Sequence, residues 1–236
     1  MIRRCRLRPV RFCRAPAGDA LRSWFVGAAV VAAVAFGPGA LARTVNNCDI
    51  HTGTLCGEAE LSGAKLAGSE LALSNFMRAD LSQADLSQAD LHSANFRSAN
   101  LRGANLRDAM MVDIDLERAD LRNADLRGAN LVDAHLGNAD FRGADLRGAD
   151  LRGARLWGAQ LNNARLAGAK LQRANFGAAN LGGANFDGAD LRGARFEDAS
   201  LDGTDLRGAR IDASTELGRA NVAGCIGCPP RTGGTR

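Results

Sequence analysis

From Leu61 to Ile211 every fifth residue is large and apolar, with no slip in phase. The thirty-one positions hold twenty-three Leu, six Phe, Met111 and Ile211. Two residues before each stands Ala in twenty-seven cases and Ser69, Ser74, Ile114 or Thr204 in the others. The unit is Ala-(Asp/Asn)-Leu-x-x, as in Ala144-Asp145-Leu146-Arg147-Gly148. On an α-helix five residues advance about 500°, so successive Leu would spiral round the axis and form no stripe. On a flat strand an odd period would send alternate Leu to opposite faces. The chain must therefore turn once per repeat, and a four-sided coil of four pentapeptides returns every Leu to one interior. Turn chemistry agrees: Leu206-Arg207-Gly208-Ala209 places Gly third of four, where a type II turn needs positive φ. Gly holds that place in fourteen repeats. Where Gln83, Arg118 or Asn123 stands there, another turn type is expected.

These residues resemble the pentapeptide-repeat family over 59–211, about two-thirds of the chain. The resemblance implies an all-β fold, a right-handed quadrilateral β-helix, with the central Leu or Phe and the preceding Ala inward and the other three positions outward. Packing gives the same assignment, since Ala lets four walls approach while Leu fills the axis. The repeats amount to about eight coils with short terminal caps, a rod of roughly 37 Å at ~4.8 Å per coil. The expected organisation is a signal peptide over 1–42, an N-terminal cap over 43–58, the β-helix over 59–211, and a C-terminal cap and flexible tail over 212–236. After Ile211 one residue is inserted, Leu217 and Val222 continue in the new frame, and a short helical turn is expected over Asp212–Arg219.

The first 42 residues carry seven Arg, an uncharged apolar run from Trp24 to Phe36, and Ala40-Leu41-Ala42. That order is a secretory signal cut before Arg43, and the run is short for an uncleaved membrane anchor. The expected location is periplasmic or secreted, with no stable membrane span after processing. Cys48, Cys56, Cys225 and Cys228 remain, an even number in an exported chain, which favours disulfides over a zinc site. The pairs flank opposite ends of the rod, while bridged Cys need Cα atoms within about 7 Å. Cys48–Cys56 and Cys225–Cys228 are therefore the expected pairs. A redox-active reading of Cys225-Ile226-Gly227-Cys228 lacks the surrounding βαβ pattern.

The formal net charge of +4 misleads, because eight of the thirty Lys/Arg precede residue 44. Residues 58–222 hold twenty Lys/Arg and twenty-four Asp/Glu. Residues twenty apart should stack, which places Arg102, Arg122 and Arg142 in one column and Arg107, Arg127 and Arg147 in the next. Asp120 and Asp140, then Asp125 and Asp145, lie two residues before their Arg and make mixed ladders, expected to pair across coils on a solvated surface. The candidate interaction patch is Met110, Val112, Val132, His135 and Trp157, where apolar or aromatic side chains take outward positions. No catalytic set, cofactor loop or metal cluster is visible. His51, His92 and His135 do not share a coil at matched columns, and the Asp residues are expected to be exposed. The reading is a non-enzymatic exported scaffold whose partner is a protein, an envelope component or a second copy of the chain, with no nucleic acid expected. The family supplies an alternative, a DNA-mimic-like protein that binds and protects topoisomerases. A net charge near −4 interrupted by Arg columns is a poor copy of a duplex with one charge per about 1.7 Å.

Overall fold

The computed structural model describes residues 43–229. The expected signal peptide over 1–42 and the tail from residue 230 lie outside the described residues. The described chain is a four-sided solenoid. Residues at one fifth of the positions form parallel bridges with residues twenty further on, from Leu55↔Asn75 through Asp120↔Asp140 to Asp190↔Arg210. Each face contributes two or three extended residues before the next corner, so long strands never develop. Every repeat satisfies its backbone in the same way. Leu146 N–H donates upward to the Arg165 carbonyl at 2.7 Å, and Asp145 N–H donates to the Ala124 carbonyl below at 3.0 Å. Gly148 N–H reaches the Ala167 carbonyl at 3.1 Å, and Ala149 N–H closes the corner on the Leu146 carbonyl at 3.1 Å. The scheme pairs four of the five amides of this repeat, the kind of satisfaction that a solenoid wall requires.

The interior follows the pattern. Leu and Phe at the central position are solvent-free from Leu61 to Leu206, with Ala packed between them. Met111 and Ile114 are equally buried, so the one coil that departs from the Ala rule still closes. Phe residues twenty apart stack along one wall: Phe76 with Phe96 at 4.9 Å, Phe176 with Phe196 at 5.0 Å. Phe186 meets Phe176 edge-on from across the interior at 5.9 Å.

The corners differ from expectation. Gln83, Arg118 and Asn123 have φ of 58°, 60° and 57°, left-handed like Gly148 at 68°. Their corners close with the same bond, as in Ala124 N–H to the Leu121 carbonyl at 3.1 Å. No second class of backbone is needed, because the axial ladder dictates the left-handed residue and the side chain yields. For a residue with a Cβ that conformation costs roughly 1–2 kcal/mol. Leu73, at φ 59°, has no local polar bond to offset the strain and is 61% exposed. Leu73→Gly should therefore raise stability by about 1 kcal/mol, readable as a higher denaturation midpoint. An unchanged or lower midpoint would show that the strain is relieved locally.

At the N-terminal end β1 (Arg43–Val45) and β2 (Cys48–Ile50) form an antiparallel hairpin. Its two turn residues, Asn46 and Asn47, are both left-handed, as a two-residue I′ turn demands. The Asn46 side-chain amide donates to the Glu60 carbonyl at 2.6 Å and so ties the hairpin onto the first coil. Cys56 stands in a Leu position and is buried beneath Phe76, and Thr54 stands in an Ala position with its hydroxyl donating to the Asp49 carbonyl. Cys48 and Cys56 sit at disulfide distance, Cα atoms 5.5 Å apart.

At the far end the expected helical turn over Asp212–Arg219 is absent, and the solenoid does not stop at residue 211. Arg195↔Glu216, Ser200↔Asn221 and Asp205↔Ile226 are bridges twenty-one residues apart. The inserted residue is absorbed in a single wider corner. There Thr215 N–H donates to the Asp212 carbonyl at 3.0 Å and the Thr215 hydroxyl to the Leu191 carbonyl at 3.0 Å. Once the corner has taken up the extra length, Leu217 and Val222 resume the inward role. Cys225 and Cys228 close the end at disulfide distance, Cα atoms 5.8 Å apart.

Candidate interaction surface

The Asp or Asn before each Leu is a turn cap. In repeat after repeat its Oδ1 accepts the backbone N–H two residues on, at 2.8 Å for Asp80 and Ser82, 3.0 Å for Asn95 and Arg97, and 3.1 Å for Asp120 and Arg122. Where the cap is Asp and the second residue is Arg, the guanidinium folds back onto the same carboxylate. Arg147 Nε lies 2.8 Å from Asp145 Oδ1, and the same fork recurs at Asp120/Arg122, Asp125/Arg127, Asp140/Arg142, Asp150/Arg152, Asp190/Arg192 and Asp205/Arg207. The expected cross-coil pairing is thus secondary. Within these two ladders its contacts are longer, 3.6 Å for Arg122–Asp140 and 3.9 Å for Arg127–Asp145, whereas Arg97 reaches across coils to Glu117 at 2.6 Å. Asp108 and Asp113 are exposed as expected, but the forked carboxylates are not, because the cap draws them against the backbone under their Arg. The Asp150 side chain is 15% exposed and that of Arg152 is 54%. Within these forks charge is sorted by depth, the anion inside and the cation outside.

This geometry sets the acid response. The Arg122 guanidinium, followed by the Arg122 backbone N–H, holds the Asp120 carboxyl below its ordinary range. At Asp145 burial is the largest influence and pushes upward, but Arg147 and its backbone N–H outweigh it and the net direction is down. Native values depressed below the unfolded ones contribute stability that is complete above about pH 4 and is lost as pH falls through the depressed native values. The thermal midpoint should stay flat from about pH 7 to 5 and drop below about pH 4. A midpoint that rose on acidification would contradict the carboxylate caps.

The five residues of the candidate patch are all outward but do not form one cluster. Met110 bridges Asp90 and Asn130 on one face, 51% exposed, with Val112 and Val132 stacked at the corner that follows. His135 lies on the next face between Asp115 and Arg155, its Nε2 3.9 Å from Asp113 Oδ1. Trp157 stands at the corner beyond, 57% exposed. Its column neighbours are Gly137 and Gly177, and the ring edge leans on Gly177, where an added Cβ would sit 3.0 Å from Trp157 Cδ1. The aromatic ring covers part of the backbone and keeps most of its area in solvent.

Two features were not singled out from the sequence. Leu55 is 84% exposed and Leu73 lies on the adjoining coil near the N-terminal end. The signal was an apolar residue in an outward position, hidden at Leu55 because the repeat frame begins only after it. A shallow groove of about 410 Å³ is lined by Lys170, Gln172, Asp190, Arg192 and Arg210. In it Gln172 Nε2 donates to Asp190 Oδ2 at 2.7 Å. Among the described residues no three His, Cys, Asp or Glu side chains converge on a metal-sized site, and no helix is long and apolar enough to cross a membrane.

The family described as pentapeptide repeats matches the chain in overlapping copies between residues 54 and 208. Among solved structures, HetL, a pentapeptide repeat protein involved in heterocyst differentiation regulation from the cyanobacterium Nostoc sp. strain PCC 7120, is 32% identical. The match covers 72% of this chain and 88% of that one, with a TM-score of 0.35. Full-length QnrB1, a plasmid-mediated fluoroquinolone resistance protein, is 24% identical over 72% of this chain and 90% of its own, with a TM-score of 0.60. At that identity the likeness bears on the fold alone. A pentapeptide repeat protein of the Arabidopsis thaliana thylakoid lumen is 32% identical over 48% of this chain and 71% of its own, with a TM-score of 0.37. No curated protein matches the chain.

Proposed function

The chain belongs to the pentapeptide-repeat family, and on that premise we propose that it is a non-enzymatic, exported scaffold that presents a rigid outer surface to a protein or envelope component. The observation that carries the reading is the strict division of labour in the repeat. The interior holds apolar side chains, while the carboxylates that could serve as acids or bases are committed to capping turns and pairing with Arg. Such groups do not present the separated pKa values that acid–base chemistry needs. The family implies a right-handed coil. Export is supported by the basic, apolar, Ala-Leu-Ala order of residues 1–42 and by two Cys pairs at disulfide distance, one at each end.

The test is fractionation of cells with mass spectrometry of the native protein. A product beginning at Arg43 in the periplasm or medium, with Cys48–Cys56 and Cys225–Cys228 oxidised, is the expected result. An intact Met1 end in the cytoplasm would sink export. It would also favour the alternative of a topoisomerase-protecting protein, which an in vitro gyrase protection assay would then decide. The likeness to QnrB1, a fluoroquinolone resistance protein, motivates that assay. Affinity capture from the envelope would identify the macromolecule that the scaffold holds.

A further inference from the structure

Trp157 is an aromatic platform in polar company. Gly137 and Gly177 flank it along its column, so neither neighbouring coil raises a side chain beside the ring there. The ends of that stretch are acidic and already paired: Glu117 with Arg97 at 2.6 Å, and Glu197 with Arg219 at 3.3 Å. Arg155 stands two residues before Trp157, in the same relation as Asp140 to Arg142, whose side chains touch at 2.6 Å. Arg155 and Trp157 are thus both exposed at outward positions of one repeat. Arg155 is exposed and makes no ion pair among the described residues. Asn175, one coil above Arg155, accepts Gly177 N–H on its Oδ1 at 2.9 Å, which leaves its amide donors available beside Arg155. His135 borders Arg155 from below.

The geometry points to a binding site for an acidic hexopyranose, a uronic-acid unit of a glycan, stacked on Trp157 with its carboxylate on Arg155. A pyranose has one apolar C–H face and a rim of hydroxyls, and it fits a lone indole ringed by amide and guanidinium donors. A protein hot spot would bring further apolar side chains to pack round the ring. Here Val112 and Val132 are half-buried and lie across a whole face, and the next coil brings the small Ala178 to this corner. A bound organic cation would need a second aromatic wall, which this corner lacks. Nucleic acid would need several unpaired cations along its backbone, whereas Arg155 stands between His135 and Asn175 in its column. This assignment rests on the surface-presenting reading, but saccharide binding in vitro is read independently of export, so either can fail alone.

The chain contains no Tyr and two Trp, Trp24 and Trp157. Emission that disappears in Trp157→Ala therefore reports this ring alone. The experiment titrates tetragalacturonate, with maltotetraose and sodium acetate as separate arms, against wild type, Trp157→Ala and Arg155→Ala. Far-UV circular dichroism verifies that both variants stay folded. The expected result is a saturable change in Trp157 emission with tetragalacturonate, and calorimetric binding that is lost in Trp157→Ala. Affinity should fall about tenfold in Arg155→Ala, the size of one charge-assisted contact, with weaker binding of maltotetraose and none of acetate. No emission change with either saccharide overturns the site. Binding that survives Trp157→Ala overturns the platform, and equal binding of the neutral sugar with an unaffected Arg155→Ala overturns the acidic specificity.

Discussion

Leu146→Asp is expected to leave the protein unfolded or insoluble. Leu146 is solvent-free, between Ala144 and Ala149 on its own coil and under the walls above and below. A carboxylate there would have neither water nor a partner, a cost of several kcal/mol, comparable to the whole stability of a domain. No rotamer escapes the problem, because the backbone of residue 146 is fixed by its N–H on the Arg165 carbonyl and by Ala149 N–H on its own carbonyl. Arg147→Asp, one residue on, should stay within about 1 kcal/mol of wild type, since it removes a half-exposed pair with Asp145 and leaves the Asp145 cap in place. Chemical denaturation followed by circular dichroism separates the two. Equal damage from both would mean that the inward and outward assignments are wrong.

Phe176→Ala should cost about 3–5 kcal/mol, the second largest loss. The ring stacks on Phe196 in the coil above with an interplanar angle of 2°, and it takes the edge of Phe186 from the opposite wall. Neither neighbour can collapse into the void, since each is pinned by its own corner. Phe176→Leu keeps most of the volume and should lose less than about 2 kcal/mol. Because a solenoid coil touches only its neighbours, hydrogen exchange in Phe176→Ala should quicken first in the coils toward Cys225. Uniform acceleration along the rod would show instead that the solenoid unfolds as one unit.

How much of this could be read from the residues follows from what the repeat constrains. The unbroken five-residue phase fixes the coil length, and Asp120↔Asp140 and its fellows fall at the spacing that the phase dictates. Side-chain depth was less legible. Asp145 stands at an outward position, yet it lies against the backbone because its short side chain reaches the Arg147 N–H. Period alone cannot tell a cap from a solvated charge. Corner geometry was misjudged at Gln83 and Arg118, since turn rules learned from isolated turns assign positive φ to Gly. A ladder with bonds on both sides enforces it on any residue. The single insertion after Ile211 looked like the end of the coil, because a shift in phase has the same appearance whether the wall stops or widens by one residue. Met110, Val112, Val132, His135 and Trp157 all take outward positions, but their spread over two faces and two corners is seen only when the four sides are assembled.

The uniform spacing of the axial bridges also bears on how the chain reaches its shape. Almost every pairing joins residues twenty or twenty-one apart, so closing each new coil costs the entropy of one short loop, and that cost does not grow as the rod lengthens. A parallel sheet ordinarily folds slowly because its partners lie far apart in sequence. Here the first closed coil is the difficult event, and the hairpin with the Cys48–Cys56 link stands where that event begins. Each later coil adds onto a finished template. A chain threaded through a membrane from its N-terminus could fold as it emerges, one twenty-residue step behind the pore, without ever presenting a long unpaired length of Leu-rich sequence.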